Sequence, residues 1–126
     1  MPSNKTMTSK SWIKKLDKIV GDIVKARDRY SCVVCGHGSN LTPGHLFSRV
    51  AKSTRWDLDN VFCQCVHCNS EHEKDPYPLT KYAVNLLGQD KVDEIHFKWN
   101  HIDKRNSDQL EDLYHKLEKE LKRYAI

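Results

Sequence analysis

The sequence predicts a small α+β domain assembled around a zinc ion, with amphipathic helices before and after it. Two Cys-x-x-Cys pairs, Cys32/Cys35 and Cys65/Cys68, suit one tetrahedral ion, because each short loop can present two sulfurs. Both ends of the chain carry apolar residues at three- and four-residue steps, the period of a helix with one buried stripe. Between the cysteine pairs the pattern breaks into turn-rich pieces with room only for short strands.

The 126 residues make room for one compact domain, 1–126. Apolar residues are 38% and charged residues 30%, a lean core on a wet surface, so a metal cross-link would help stability. No run approaches the roughly 18 apolar residues of a membrane helix, so no membrane partner is expected. Met1-Pro2-Ser3-Asn4-Lys5 has no apolar block behind it and does not read as a secretory signal. A cytoplasmic location follows as the expectation, where Cys-x-x-Cys pairs bind metal more often than they form disulfides. Five cysteines, an odd number, fit four ligands and one spare.

Charge is uneven. Residues 1–56 hold 11 Lys or Arg against 3 Asp or Glu, a balance of +8, while residues 57–126 hold 10 against 14, a balance of −4. A positive front half suits a polyanion such as nucleic acid, although ordinary solvated surface charge has the same composition.

In chain order, residues 1–10 are polar and expected to be disordered. Residues 11–29 form the N-terminal helix, with Trp12, Ile13, Leu16, Ile19, Val20, Ile23 and Val24 as its stripe; Gly21 weakens it by about 1 kcal/mol relative to Ala. The zinc-bound core is expected over 30–75. Within it Tyr30 to Gly38 is extended and turns at Cys35-Gly36, where glycine accepts the positive φ of a metal-binding curl. Asn40 to Gly44 reads as a turn and His45 to Phe47 as a short strand. Val50 to Thr54 is undetermined, Trp56 to Phe62 a loop or strand, and a helix starts near Cys65 to Cys68 and ends by Asp75-Pro76-Tyr77-Pro78. Residues 79–126 are the helical C-terminal part: Leu79 to Leu87 capped by Gly88, then Asp90 to Asn100, then a last helix capped at Ser107 or Asp108, with Asp108 and Glu111 as a capping box. Leu110, Leu113, Tyr114, Leu117, Leu121 and Tyr124 make the last stripe, which could dock on the N-terminal helix or on a second subunit.

Cys32, Cys35, Cys65 and Cys68 are the expected structural zinc ligands. Cys63-x-Cys65 offers a rival pair and His67 a rival ligand, but the three-residue step of Cys65 and Cys68 suits the first turn of a helix. Four thiolates leave no open position for chemistry on that ion. Phosphodiester hydrolysis would instead need a base and a second, divalent cation. His45 is the candidate base, since it follows a Pro-Gly turn and its imidazole titrates near working pH. Asn60 could hold that histidine or its loop, and Asn69, one residue past the last cysteine, could face the same cleft. Arg49, Lys52 and Arg55 are candidate phosphate contacts, since guanidinium forks match phosphate oxygens. Trp56 and Phe47 read as core rather than base-stacking platforms.

The chain carries Lys15-Leu16-Asp17, Arg27-Asp28, Cys32-x-x-Cys35-Gly36, Gly44-His45-Leu46-Phe47-Ser48-Arg49, Arg55-Trp56-Asp57-x-x-Asn60 and Gln64-Cys65-x-x-Cys68-Asn69, with Tyr82, Leu86, Leu87 and Gly88 after them. This order resembles the zinc-supported His-Asn-His (HNH, ββα-metal, treble-clef-like) nucleases, which include phage endonuclease VII. The likeness is closer to the phage lambda Rap (NinG) recombination endonuclease family. It covers roughly residues 12–95, with its specificity concentrated in 32–69. It implies a ββα-metal core and cleavage of branched DNA, such as Holliday junctions and D-loops, during phage recombination in the host cytoplasm.

On that resemblance His45 is the general base, Asn60 its orienting partner and Asn69 a Mg²⁺ or Mn²⁺ ligand, with His72 and Glu73 as further ligands. Many of the broader nucleases have an Asp or His ligand just before the base, where this chain has Gly44. That leaves a second metal ligand to be chosen from Asp57, Asp59, Glu71 and Glu73. The alternatives are a non-catalytic zinc-ordered DNA-binding module, which the missing ligand favours, and an HNH nicking enzyme acting on ordinary duplex. A resolvase cuts two symmetric strands, so a homodimer would suit it.

Overall fold

The computed structural model describes residues 7–124, and among these it has six helices and one two-stranded sheet, a small α+β architecture as expected. Helix α1 spans Ser9–Arg27 and starts two residues before the expected point, because Thr8 caps it by accepting from the Ser11 N–H. Residues 1–6 of the segment expected to be disordered lie outside the described residues.

Strand β1 is Leu41–His45 and β2 is Val61–Cys65, paired antiparallel with His45 opposite Val61 and Leu41 opposite Cys65. The expected turn at Asn40 to Gly44 is therefore mostly strand, and the strand expected at His45 to Phe47 ends at His45. Proline argues for a turn at Pro43, but a two-stranded sheet has a free edge that tolerates its missing donor. The turn contracts to Asn40, at φ 54°. The undetermined stretch holds a four-residue helix, α2, Lys52–Arg55. Helix α3, Val66–His72, follows β2 directly, with Cys65 as its N-cap, and ends before the proline pair.

Helix α4 is Tyr77–Leu87, closed by Gly88, and α5 is Gln89–Trp99. Helix α6, Ser107–Lys122, has its capping box two residues earlier than expected. Asn106 accepts from the Gln109 N–H while the Gln109 side chain accepts from the Asn106 N–H, which leaves Asp108 and Glu111 out of the box.

Two cores result. One joins the stripe of α1 to Trp56, Val61, Leu110 and Leu117, so the α6 stripe docks on α1 within the chain. Gly21 faces β1 here, where a Cβ would stand 3.4 Å from Pro43 Cγ, at the edge of ordinary contact. The other core packs Leu46 and Phe62 against Leu79, Ala83 and Val92 of α4 and α5. Among the described residues, no helix is long and apolar enough to cross a membrane.

Candidate functional site

The sulfurs of Cys32, Cys35, Cys65 and Cys68 lie within 4.8 Å of one another. Cys35 Sγ and Cys65 Sγ are 3.7 Å apart, whereas sulfurs at about 2.3 Å from a tetrahedral zinc ion are separated by about 3.8 Å. The local backbone explains the approach. Gly36 sits at φ 81° and donates to the Cys32 carbonyl at 2.8 Å, curling the first loop. On the second, the Cys68 N–H points at Cys65 Sγ at 3.4 Å across the first turn of α3. This donor set fits zinc. Burial opposes ionisation of Cys32, but N–H groups of Cys35, Cys65 and Val34 outweigh it and bring that thiol to about 7. Cys63 stands outside the four. It is fully buried, its N–H is held by Asp28 Oδ2 at 2.9 Å, and burial pushes its thiol up. Asp28 in turn pairs with Arg27, which donates to the Leu58 and Val61 carbonyls, so α1 pins the entry of β2.

Beside the cysteine cluster, α1, β1 and α3 bound a cleft of about 440 Å³ lined by Asp17, His45, Arg49, Asn69, His72 and Glu73 among others. His45 ends β1 half-buried, with Nε2 2.9 Å from the Arg55 carbonyl. A carbonyl only accepts, so Nε2 carries the proton and Nδ1 keeps the lone pair. Burial, then the charges of Arg49 and Arg55, push the imidazole below its ordinary value, against the Arg55 carbonyl and Asp17. His45 is thus neutral at neutral pH.

Asn60 is fully buried and acts on the loop that follows the histidine. It donates to the Phe47 and Thr54 carbonyls, each at 3.1 Å, and accepts from the Phe47 N–H at 2.9 Å. Of its two expected roles, holding the loop rather than the imidazole is where its hydrogen bonds go. His72 Nε2 donates to the Leu46 carbonyl at 2.9 Å, which leaves Nδ1 a buried acceptor without a partner among the described residues. Glu73 is exposed and lines the cleft.

The three expected phosphate contacts do not form one open basic loop. Arg55 is 17% exposed and pairs twice with Asp17, at 2.9 and 2.6 Å, and Arg49 meets the same carboxylate at 2.8 Å while remaining 56% exposed. Lys52 is exposed on α2, apart from the cleft lining. Trp56 is buried, as expected, with Nε1 donating to Asp17 at 2.8 Å. Asp17 is therefore a hub, to which sequence reasoning assigned no role beyond its place in Lys15-Leu16-Asp17, because its partners lie on distant stretches of the chain. Its own burial opposes ionisation, but hydrogen bonds from Arg55 and Trp56 outweigh that and hold the carboxyl below its ordinary range.

Of the four acids considered as the second ligand, Glu73 alone lines the cleft. Asp57 pairs with Lys98, Asp59 with Lys91 and Glu71 with Lys74. Gln64 was also missed: it is 1% exposed, and its Oε1 has no hydrogen-bond partner among the described residues. The signal available was a lone polar residue in the buried run Val61 to Cys65.

Comparison with known proteins gives relatives that bear one name. "Protein ninG" of Escherichia phage 933W is 32% identical over 93 residues, which are 71% of this chain and 46% of that protein. The proteins of the same name from Escherichia phage lambda and Salmonella phage P22 are 30% and 31% identical, over 71% and 67% of this chain and 46% and 43% of theirs. The chain thus spans just under half the length of these relatives. No solved structure matches it. The sequence pattern of the family described as "Bacteriophage Lambda NinG protein" runs from residue 3 to residue 125, across both cysteine pairs and the cleft between α1 and α3, and the chain belongs to that family.

Proposed function

We propose that this chain is a metal-dependent endodeoxyribonuclease of phage recombination that hydrolyses phosphodiester bonds in branched DNA, such as Holliday junctions and D-loops. The observation that carries the reading is His45. Its Nε2–H is committed to the Arg55 carbonyl and its charge is suppressed, which leaves the Nδ1 lone pair uncommitted on a residue that lines a cleft shared with Asn69, His72 and Glu73. The run β1–β2–α3 beside four clustered thiols supports a ββα-metal core of the HNH, endonuclease VII-like kind.

In this mechanism His45 Nδ1 takes a proton from water as the oxygen attacks the scissile phosphorus in line. Asn69 Oδ1, the His72 Nδ1 lone pair and the Glu73 carboxylate would hold Mg²⁺ or Mn²⁺. Such an ion supplies charge stabilisation for the pentacoordinate phosphorus and the leaving oxygen. Asn60 keeps the 47–54 loop, and with it the Arg55 carbonyl, in place behind the imidazole. Arg49, the most exposed member of the Asp17 cluster, can exchange its carboxylate for a DNA phosphate, while Arg55 stays as a strut. Lys52 adds long-range attraction, and the zinc ion contributes to folding only. A twofold dimer would place two such clefts on the two strands of a junction.

The test uses zinc-loaded protein, Mg²⁺ or Mn²⁺, and four-way, forked and linear DNA. His45→Ala should bind junctions with wild-type affinity, keep its zinc and cut at least a hundredfold more slowly, consistent with loss of a general base. Cutting at the wild-type rate overturns the mechanism. Equal cutting of the linear arms would replace junction cleavage with duplex nicking.

A further inference from the structure

Gly44 precedes the proposed base and contributes no side chain, yet the space beside it is filled. A Cβ placed on Gly44 would stand 1.9 Å from Gln64 Oε1 and 2.8 Å from Asn69 Oδ1. Two carbonyl oxygens from different elements, β2 and α3, thus converge on the space beside Gly44 of β1. Gln64 reaches there because it pairs with Thr42 across the sheet, two residues from Gly44, and because glycine leaves the path clear. Its Oε1 is buried and has no donor among the described residues. A buried carbonyl without a donor is costly, and a second partial negative charge beside it adds repulsion. The arrangement is relieved if a cation sits between the two oxygens.

We infer that Gln64 is a ligand of the divalent cation, its carbonyl oxygen taking the place of the side chain that Gly44 lacks and acting together with Asn69 Oδ1. Amide and carboxylate oxygens are the hard donors that Mg²⁺ and Mn²⁺ prefer, and such ions keep several waters, so two amides with the His72 and Glu73 donors are a sufficient protein share. The inference rests on the metal-dependent reading of the cleft and adds to it a residue on β2.

The test is Mn²⁺ binding to the zinc-loaded chain without DNA, followed by calorimetry and by the electron paramagnetic resonance signal of free Mn²⁺. Gln64→Met keeps the volume and removes the oxygen. It should retain one zinc per chain and melt no lower than wild type, since it removes an unpartnered carbonyl, yet bind Mn²⁺ at least tenfold more weakly. Gln64→Glu keeps an oxygen in place and removes the amide N–H₂, so it should bind Mn²⁺ at least as tightly as wild type. Binding by Gln64→Met within twofold of wild type overturns the inference. So does loss of binding in Gln64→Glu, which would make Gln64 a hydrogen-bond donor to Asn69. The two readings fail separately. If Asn69→Ala loses Mn²⁺ and Gln64→Met does not, only the role of Gln64 falls. If both lose Mn²⁺ but the wild type cuts no DNA, the ligand assignment stands and the nuclease reading falls.

Discussion

Replacing Asp17 by alanine should cost this protein a measurable part of its stability, and the geometry sets how much. The carboxylate accepts from Arg55 Nε and Nη2, from Trp56 Nε1 and from Arg49 Nη2, at 2.6 to 2.9 Å. The Arg49 contact is with a side chain 56% exposed and contributes close to nothing. Arg55 and the Trp56 indole are mostly buried and would lose their acceptor. At about 1.5–3 kcal/mol for a hydrogen bond to a charged group, discounted because Asp17 is itself 29% exposed, the total is about 2–3 kcal/mol. For a chain of this size that lowers Tm by on the order of 10 °C. The assay is urea unfolding of zinc-loaded wild type, Asp17→Ala, Arg55→Ala and the double variant. The cycle should return a coupling of at least about 1 kcal/mol, whereas additivity within about 0.5 kcal/mol refutes the hub. The sign with pH is also fixed. A carboxyl held below its ordinary value stabilises the fold above that value and ceases to do so as pH falls through the lowered one. The gap between wild type and Asp17→Asn should therefore be open at neutral pH and close below 3.8. A gap unchanged from pH 7 to pH 3 would show that the charge is irrelevant.

Zinc analysis should give one ion per chain in wild type and in Cys63→Ser, and loss of that ion in Cys65→Ser; strong chelators should lower the melting temperature of the first two sharply. Cys63→Ser without zinc would move the spare thiol into the ligand set. Asn60→Ala leaves the Phe47 N–H and the Phe47 carbonyl unpaired in a dry site, while the Thr54 carbonyl keeps the Asp57 N–H, and should destabilise by about 2–4 kcal/mol in denaturant titration; a change below about 0.5 kcal/mol would refute that role. His45 should titrate by NMR below its ordinary value of 6.5, so the cleavage rate should already have levelled off on the alkaline side of that pH. Because its folded value is the lower one, stability from His45 is present above 6.5 and falls away in acid, and His45→Ala should flatten that part of the stability profile.

Reading the sequence located α1 and α4 to α6 closely, since α1 and α6 carry apolar stripes of helical period and Gly88 and the α6 cap mark helix ends, and such signals are local. It also picked out the four thiols that the fold gathers, because paired short-range spacing leaves few ways to surround one ion. The strands were harder to place. Pro43 argues for a turn wherever the neighbouring strand is not known, and β1 exists only because β2 lies beside it. The capping box at α6 slipped by two residues because Asn106/Gln109 and Asp108/Glu111 carry equivalent chemistry and only geometry separates them.

The amino-acid order alone determined the cysteine cluster, the amphipathic ends and a histidine placed between the metal-binding halves, all of which are patterns within short stretches. Only the tertiary structure decided what those groups face. It put Asp17 against two arginines 32 and 38 residues away, gave His45 its tautomer through the Arg55 carbonyl, and brought Gln64 and Asn69 to the space above Gly44. Partners of that kind are chosen by how α1 and α3 pack on the sheet, and a hydrogen bond across the fold leaves no period in the chain from which it could be read.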